Sequence, residues 1–210
     1  MIIPTLTEKE RDDEIMKDMP YVLRFSDSKD SKFRRLVLKS VLFPVYAKCY
    51  YTSPLKNRWL ICFEARNKKE IGDYCRMTTV CISKDMNGMP VAFMPTSTNG
   101  KYHIISYPHH LFSRYKERIN AKESGEKLIE RFFRYNYSYV FDISEKPLLG
   151  SNVYYNEIYG SSKDGAALGI LTSEGNIFFK TFITYEMTKG EQIKKFAENE
   201  NIRKEIHEKE

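Results

Sequence analysis

Three side chains at steps of four residues, His110, Arg114 and Arg118, carry the most suggestive chemistry in this 210-residue chain. They lie in the run PHHLFSRYKERI at 108–119. At about 100° per residue, His110, Arg114, Glu117 and Arg118 share one helical stripe, and Leu111, Phe112, Tyr115 and Ile119 share a neighbouring apolar one. An imidazole titrates near neutrality and can move a proton. Guanidinium groups stay charged and offer a fork of donors to phosphoryl oxygens. A helix start adds unpaired N–H groups that favour anions. Together these groups suit metal-independent RNA cleavage. The ribose 2′-OH attacks its own phosphodiester, one proton is removed, another is delivered, and cations stabilise the added charge on phosphorus. The same residues also read as a solvated face, with Glu117 pairing Arg114 or Lys116 and His110 bonding a loop. His109 falls on another face beside Ser113 and Lys116 and is expected to be exposed and non-catalytic.

Two further constellations could add to that chemistry. The segment 165–171, GAALGIL, is lined with small residues, so another backbone or a ligand could approach it closely. The following strand carries Lys180. Period two puts Lys180 and Thr184 on one face and Ile177, Phe179, Thr181 and Ile183 on the other. Lys180 is thus a candidate second cation for phosphate, or a lysine on a solvated sheet face. The aromatic run Phe132, Phe133, Tyr135, Tyr137, Tyr139 and Phe141 is interleaved with Arg131 and Arg134. Arg131, Arg134 and Tyr137 are the candidate nucleic-acid-binding residues, since exposed aromatics with arginines stack and neutralise single strands. The alternative is helix core passing into strand core.

The elements that must position these groups follow from periodicity. Thr7-Glu8-Lys9-Glu10 has capping-box form and opens a helix to about Met19, ended by Pro20. Ser28 to Asp30 caps a second helix, with Phe33, Leu36, Val37 and Val41 on an apolar stripe and Lys32, Arg34, Arg35 and Lys39 on a basic one; Pro44 closes it. Strands are predicted at 45–52, 58–66, 74–84, 90–94 and 101–107, with hairpin signals at Asn87-Gly88 and Asn99-Gly100. Arg58 to Arg66 alternates, Trp59, Ile61, Phe63 and Ala65 against Leu60, Cys62 and Glu64. Pro108 stands where a first helical residue is favoured. A helix at 124–136 and strands at 137–143, 152–159, 165–172 and 176–184 follow. The tail 189–210 reads as a charged helix that docks through Ile193, Phe196, Ile202 and Ile206 and frays at its end. This order of helices, strands, helices and strands argues an α+β fold, antiparallel sheet packed by helices. Residues 1–105 form an N-terminal helix-plus-meander region and 106–210 a second region, the two expected to pack as one body.

Composition narrows the classes. Lys plus Arg exceed Asp plus Glu by 34 to 28, so the net charge of +6 permits an acidic partner without requiring one. Hydrophobic residues make up 41%, enough for a core and too many for a disordered chain. Cys49, Cys62, Cys75 and Cys81 form no C-x-x-C pair and read as buried, reduced, strand-borne thiols. Met1 to Glu14 lacks a basic segment followed by an apolar run, so no secretory leader is expected. No apolar stretch has membrane-spanning length, and a cytoplasmic protein without a membrane partner is expected. Phosphate-binding glycine loops, nucleophile elbows and zinc-protease motifs are missing, so neither cofactor nor metal is expected.

From His110 onward the chain resembles the broad RelE-like ribonuclease superfamily, which includes barnase, EndoU and colicin ribonuclease domains. The residues that carry the resemblance are His110, Phe112, Arg114, Tyr115, Glu117 and Arg118 on the helix, the small-residue strand Gly165 to Leu171, and the closing strand Lys180 to Thr184. It covers roughly the second half of the chain. The resemblance implies an antiparallel sheet packed by helices and a metal-independent endoribonuclease, in the manner of toxins and phage or mobile-element effectors. His110 would transfer protons, and Arg114, Arg118 and Lys180 would stabilise phosphate. RNA would be the substrate and a protein partner or antitoxin the regulator. The competing expectation is a non-catalytic structural or interaction protein, phage- or defence-associated, that keeps the scaffold.

Overall fold

A computed structural model describes residues 1–71, 76–98, 100–136, 138–147, 154–188, 194, 197–199 and 201–202. The fold is α+β: nine mostly antiparallel strands form the sheet, in the order β1-β2-β3-β4-β5-β9-β8-β7-β6, and helices join them. In chain order these are α1 (Glu8–Lys39), β1 (Val45–Thr52), β2 (Arg58–Ala65), β3 (Arg76–Lys84), β4 (Pro90–Thr98), β5 (Lys101–Tyr107), α2 (His109–Arg118), α3 (Glu126–Tyr135), β6 (Val140–Pro147), β7 (Tyr154–Ser161), β8 (Ala166–Leu171) and β9 (Ile177–Ile183). The chain divides into two compact units. The first holds Met1–Gly88 with Ala92–Pro95 and the second Met89–Val91 with Thr96–Glu210, so β4 contributes to both. The change of motif near residue 105 falls inside the second unit. None of the described helices is long and apolar enough to cross a membrane.

In the first unit, α1 corrects the two-helix expectation. It runs unbroken for 32 residues with Pro20 inside it, and Ser28 to Asp30 cap nothing. The capping box is present: the Glu10 N–H donates to Thr7 Oγ1 at 3.3 Å and the Thr7 N–H to Glu10 Oε2 at 2.9 Å. The buried residues Ile15, Val22, Ser26, Phe33 and Val37 recur at seven and four, one stripe that passes straight through the proline. Packing of that stripe outweighs the hydrogen bond that Pro20 removes. Val41, expected to extend the stripe, is 88% exposed beyond the helix end. Beneath α1 lies β2, buried from Trp59 to Phe63 without the alternation the sequence suggested, because both of its faces are covered. The β3–β4 hairpin turns at Asn87-Gly88, where the Gly88 N–H donates to the Asp85 carbonyl at 2.9 Å. Cys62 and Cys81 are buried thiols outside any disulfide, Cys49 is half-buried, and Cys75 lies outside the described residues.

One carboxylate holds α1 to the strands. Asp18 is fully buried, and its Oδ2 accepts from Ser53 Oγ at 2.7 Å, Asn57 Nδ2 at 2.8 Å and the Trp59 indole N–H at 2.8 Å. Asn57 Oδ1 in turn accepts the Ile2 N–H at 2.7 Å. Asp18→Ala would leave three buried donors unsatisfied, and we expect urea denaturation to show a loss of about 3 kcal/mol. A change below about 1 kcal/mol would show that this carboxylate does not organise the unit.

In the second unit, the chain leaves β5, passes through α2 and α3, and enters the sheet at its far edge as β6. It then returns by the antiparallel meander β7, β8, β9 and sets β9 beside β5. That last pair is parallel, Ile105 opposite Ile177, a departure from the all-antiparallel expectation. Asn176 starts the pairing, its Oδ1 accepting the Ile104 N–H at 2.9 Å. The core is aromatic. Tyr107, Phe112, Tyr115, Phe132, Phe133, Phe179 and Phe182 are fully buried, and edge-on ring contacts run from Tyr107 to Phe133 (4.8 Å) and from Tyr115 to both Phe132 (4.9 Å) and Phe182 (5.1 Å). Phe132, Phe133 and the inward face of α2 therefore serve packing.

Candidate nucleic-acid interface

Helix α2 places the proposed catalytic stripe as periodicity demands. Leu111, Phe112 and Tyr115 are buried, and His110 is exposed in the first turn after the capping residue Pro108. Among the described residues His110 makes neither a hydrogen bond nor an ion pair. Arg114 is committed to Glu117, Nη1 to Oε2 at 2.8 Å, the solvated-face arrangement. Arg118 has Nη1 buried without a hydrogen-bond partner among the described residues; burial and the charge of Arg114 push its pKa down, against the pull of Glu117. His109 differs from expectation: it is half-buried, with Nε2 3.0 Å from Ser113 Oγ and Nδ1 buried. The apolar neighbours Leu111 and Phe112 draw the start of the helix inward and carry His109 with them.

Lys180 occupies an unforeseen position. Leu168 lies opposite Thr181 and Gly169 opposite Phe179, so Lys180 is the extra residue of a β-bulge. The bulge resets the alternation: Ile177 and Phe179 are buried, then Phe182, whereas Thr181 and Ile183 are half-exposed. This corrects the strict period-two assignment. Lys180 is exposed, flanked by the buried Phe179 and the half-exposed Thr181, and among the described residues it contacts neither His110 nor the two arginines of α2 through any polar bond. Gly169, the glycine of β8, stands at the same bulge. A Cβ on Gly169 would stand 2.2 Å from the Phe178 carbonyl oxygen and 2.7 Å from Phe179 Cα, so the close neighbour is the backbone of β9. Gly169→Ala should cost about 3 kcal/mol or more in thermal or urea unfolding; unchanged stability would refute this account of the strand.

The cations that do come together lie at the end of α3. The ring of Tyr135 has Arg131 Cζ at 5.3 Å, Arg134 Cζ at 5.4 Å and Lys163 Nζ at 5.1 Å from its centroid. Arg134 and Lys163 are exposed, and Arg131 is half-buried with Nη1 3.4 Å from Glu123 Oε1. Tyr137, the third predicted nucleic-acid residue, lies outside the described residues.

Lys163 is delivered by a polar knot that sequence reasoning missed. Asn136, fully buried at the end of α3, accepts on Oδ1 from Ser162 Oγ at 2.8 Å and from the Asp164 N–H at 3.0 Å. Its Nδ2 donates to Asp164 Oδ2 at 3.0 Å and to the Phe132 carbonyl at 3.2 Å. Tyr115 adds its O–H to Asp164 Oδ2 at 2.7 Å. Burial, and then the Asp164 carboxylate, push the Tyr115 pKa far up, so this hydroxyl stays a donor at neutral pH. The available signal was the turn-rich string Ser161-Ser-Lys-Asp-Gly165, which marks a tight turn but not its partner.

Among the described residues no group of His, Cys, Asp and Glu could hold a metal ion. Comparison with protein families, curated proteins and solved structures finds no match to this chain.

Proposed function

We propose that the protein binds single-stranded RNA through the Tyr135 cluster. The observation that carries this reading is the convergence of Arg131, Arg134 and Lys163, from two elements, on one half-buried ring. Cations held this close repel one another. A phosphate backbone laid between them relieves that repulsion and releases counterions. The tyrosine offers a surface on which a base stacks without sequence preference. The resemblance of residues 106–210 to RelE-like ribonucleases supports RNA as the polyanion. Cleavage of the bound strand by His110 is a second reading. It is supported by an exposed imidazole that no other described group engages, with Arg114 and Arg118 one and two turns further along α2. Under that reading the protein is a toxin-type effector; without cleavage it is an RNA-binding interaction protein.

One experiment addresses both. A 5′-labelled oligouridine is titrated in EDTA at several salt concentrations and then resolved on a gel. The log of affinity should fall with the log of salt at a slope of about −2, and Arg134→Ala and Lys163→Ala should each reduce that slope by about 0.7. Slopes unchanged in both variants would overturn the binding site. Shortened RNA with wild type, intact with His110→Ala, establishes cleavage; intact RNA throughout removes it and leaves binding alone.

A further inference from the structure

The first unit carries a second basic surface, independent of the RNA reading. Between α1 and β1 runs an open groove of about 670 Å³. On one side α1 presents Lys29, Lys32, Arg35 and Lys39, spaced at three and four so that they share a helical face. Lys32, Arg35 and Lys39 are exposed; Lys29 lies 4.6 Å from the ring centroid of Phe25, and burial pushes the Cys49 thiol pKa up against the opposing charge of Lys29. Among the described residues no carboxylate lines the groove. The Phe33–Phe63 ring pair, centroids 5.5 Å apart, lies at its floor.

The other wall is β1, and its place in the sheet decides what fits. All eight residues of β1 pair with β2 on one side, and among the described residues no strand pairs with its other side. Ala47, Lys48 and Cys49 all line the groove. Ala47 and Cys49 share one strand face, Ala47 lies opposite Phe63 in the register, and Lys48 between them also borders the groove, so the groove runs along the strand that ends the sheet order. An edge strand presents alternating free N–H and C=O groups, a template for another extended chain. Phosphate backbones need the cations alone; an extended peptide uses the cations and the edge together.

We infer that this groove binds an extended acidic peptide segment of a partner protein, which adds a strand antiparallel or parallel to β1 and sets its carboxylates against Lys29, Lys32, Arg35 and Lys39. Backbone hydrogen bonds supply the register and the cationic wall selects an acidic sequence, the division of labour in β-strand addition.

The probe is a fluorescein-labelled octapeptide of alternating Glu and Val, matched in length to β1, titrated into the full chain by fluorescence anisotropy. Two further peptides carry N-methyl groups on every second residue, in the two alternative phases. Binding should be lost with one phase and kept with the other, because only one set of amides faces the strand edge. The exposed-residue variant Lys32→Glu/Lys39→Glu should weaken the parent peptide about tenfold, and hydrogen exchange should slow at β1 amides on binding. Equal binding of both N-methylated phases would overturn strand addition. So would failure of the parent peptide to bind at millimolar concentration. Oligouridine that displaces the peptide and loses its own affinity in the Lys32→Glu/Lys39→Glu variant would instead assign the groove to nucleic acid.

Discussion

The second unit depends on the buried side-chain amide of Asn136. It bonds the end of α3 and the β7–β8 turn at once, using two acceptor and two donor bonds. A primary amide offers both functions in a fixed plane; a carboxylate or a hydroxyl could replace only part of that set. With the turn fixed, Asp164 faces the Tyr115 hydroxyl and ties α2 to the same point, and Tyr185 donates its O–H to the Ser162 carbonyl. Lys163, at the tip, is left over Tyr135. The proposed binding cluster is thus a consequence of a folding constraint and not a set of surface charges free to drift.

The first unit solves the same problem with a different group. Its helix is anchored through the Asp18 carboxylate, which gathers Ser53, Asn57 and Trp59 on one oxygen. In both units an aromatic and aliphatic core supplies the bulk of burial, while one buried polar hub ties a helix to the rest; Asn136 uses both ends of its amide, whereas Asp18 gathers its donors on Oδ2 and leaves Oδ1 without a partner among the described residues. Such hubs are poor contributors in sum and costly to break, because each deletion strands several partners.

The α+β class, most strands and the inward face of α2 were legible from periodicity, because 3.6 and 2.0 spacings are local properties. Three features were not. Pro20 reads as a stop, yet tertiary packing of the stripe from Ile15 to Val37 carries α1 through it. Lys180 breaks strand alternation, since a bulge is set by the partner strand at Gly169 and not by its own residue type. The tail was expected to dock by Ile193, Phe196, Ile202 and Ile206. Of these Ile202 is 45% exposed and the others lie outside the described residues, while Asn199 is buried and donates to Asp142 Oδ2 at 3.0 Å. For the candidate site, sequence named Arg131 and Arg134 but not Lys163, whose neighbour Asp164 is held by Asn136, 28 residues away along the chain. The basic stripe with Lys32, Arg35 and Lys39 was legible in the second predicted helix, but not that it lines a groove with Ala47, Lys48 and Cys49 of β1, because that depends on tertiary packing.

The account rests on Asn136 holding Lys163 in place for the bound strand, and a double-mutant cycle measures that directly. Oligouridine affinity is compared in wild type, Lys163→Ala, Asn136→Ala and the double variant, each confirmed folded by circular dichroism. The account predicts that Lys163→Ala weakens binding about threefold or more alone and has almost no effect once Asn136 is alanine. An equal loss in both backgrounds would contradict it, because Lys163 would then reach the strand without the knot.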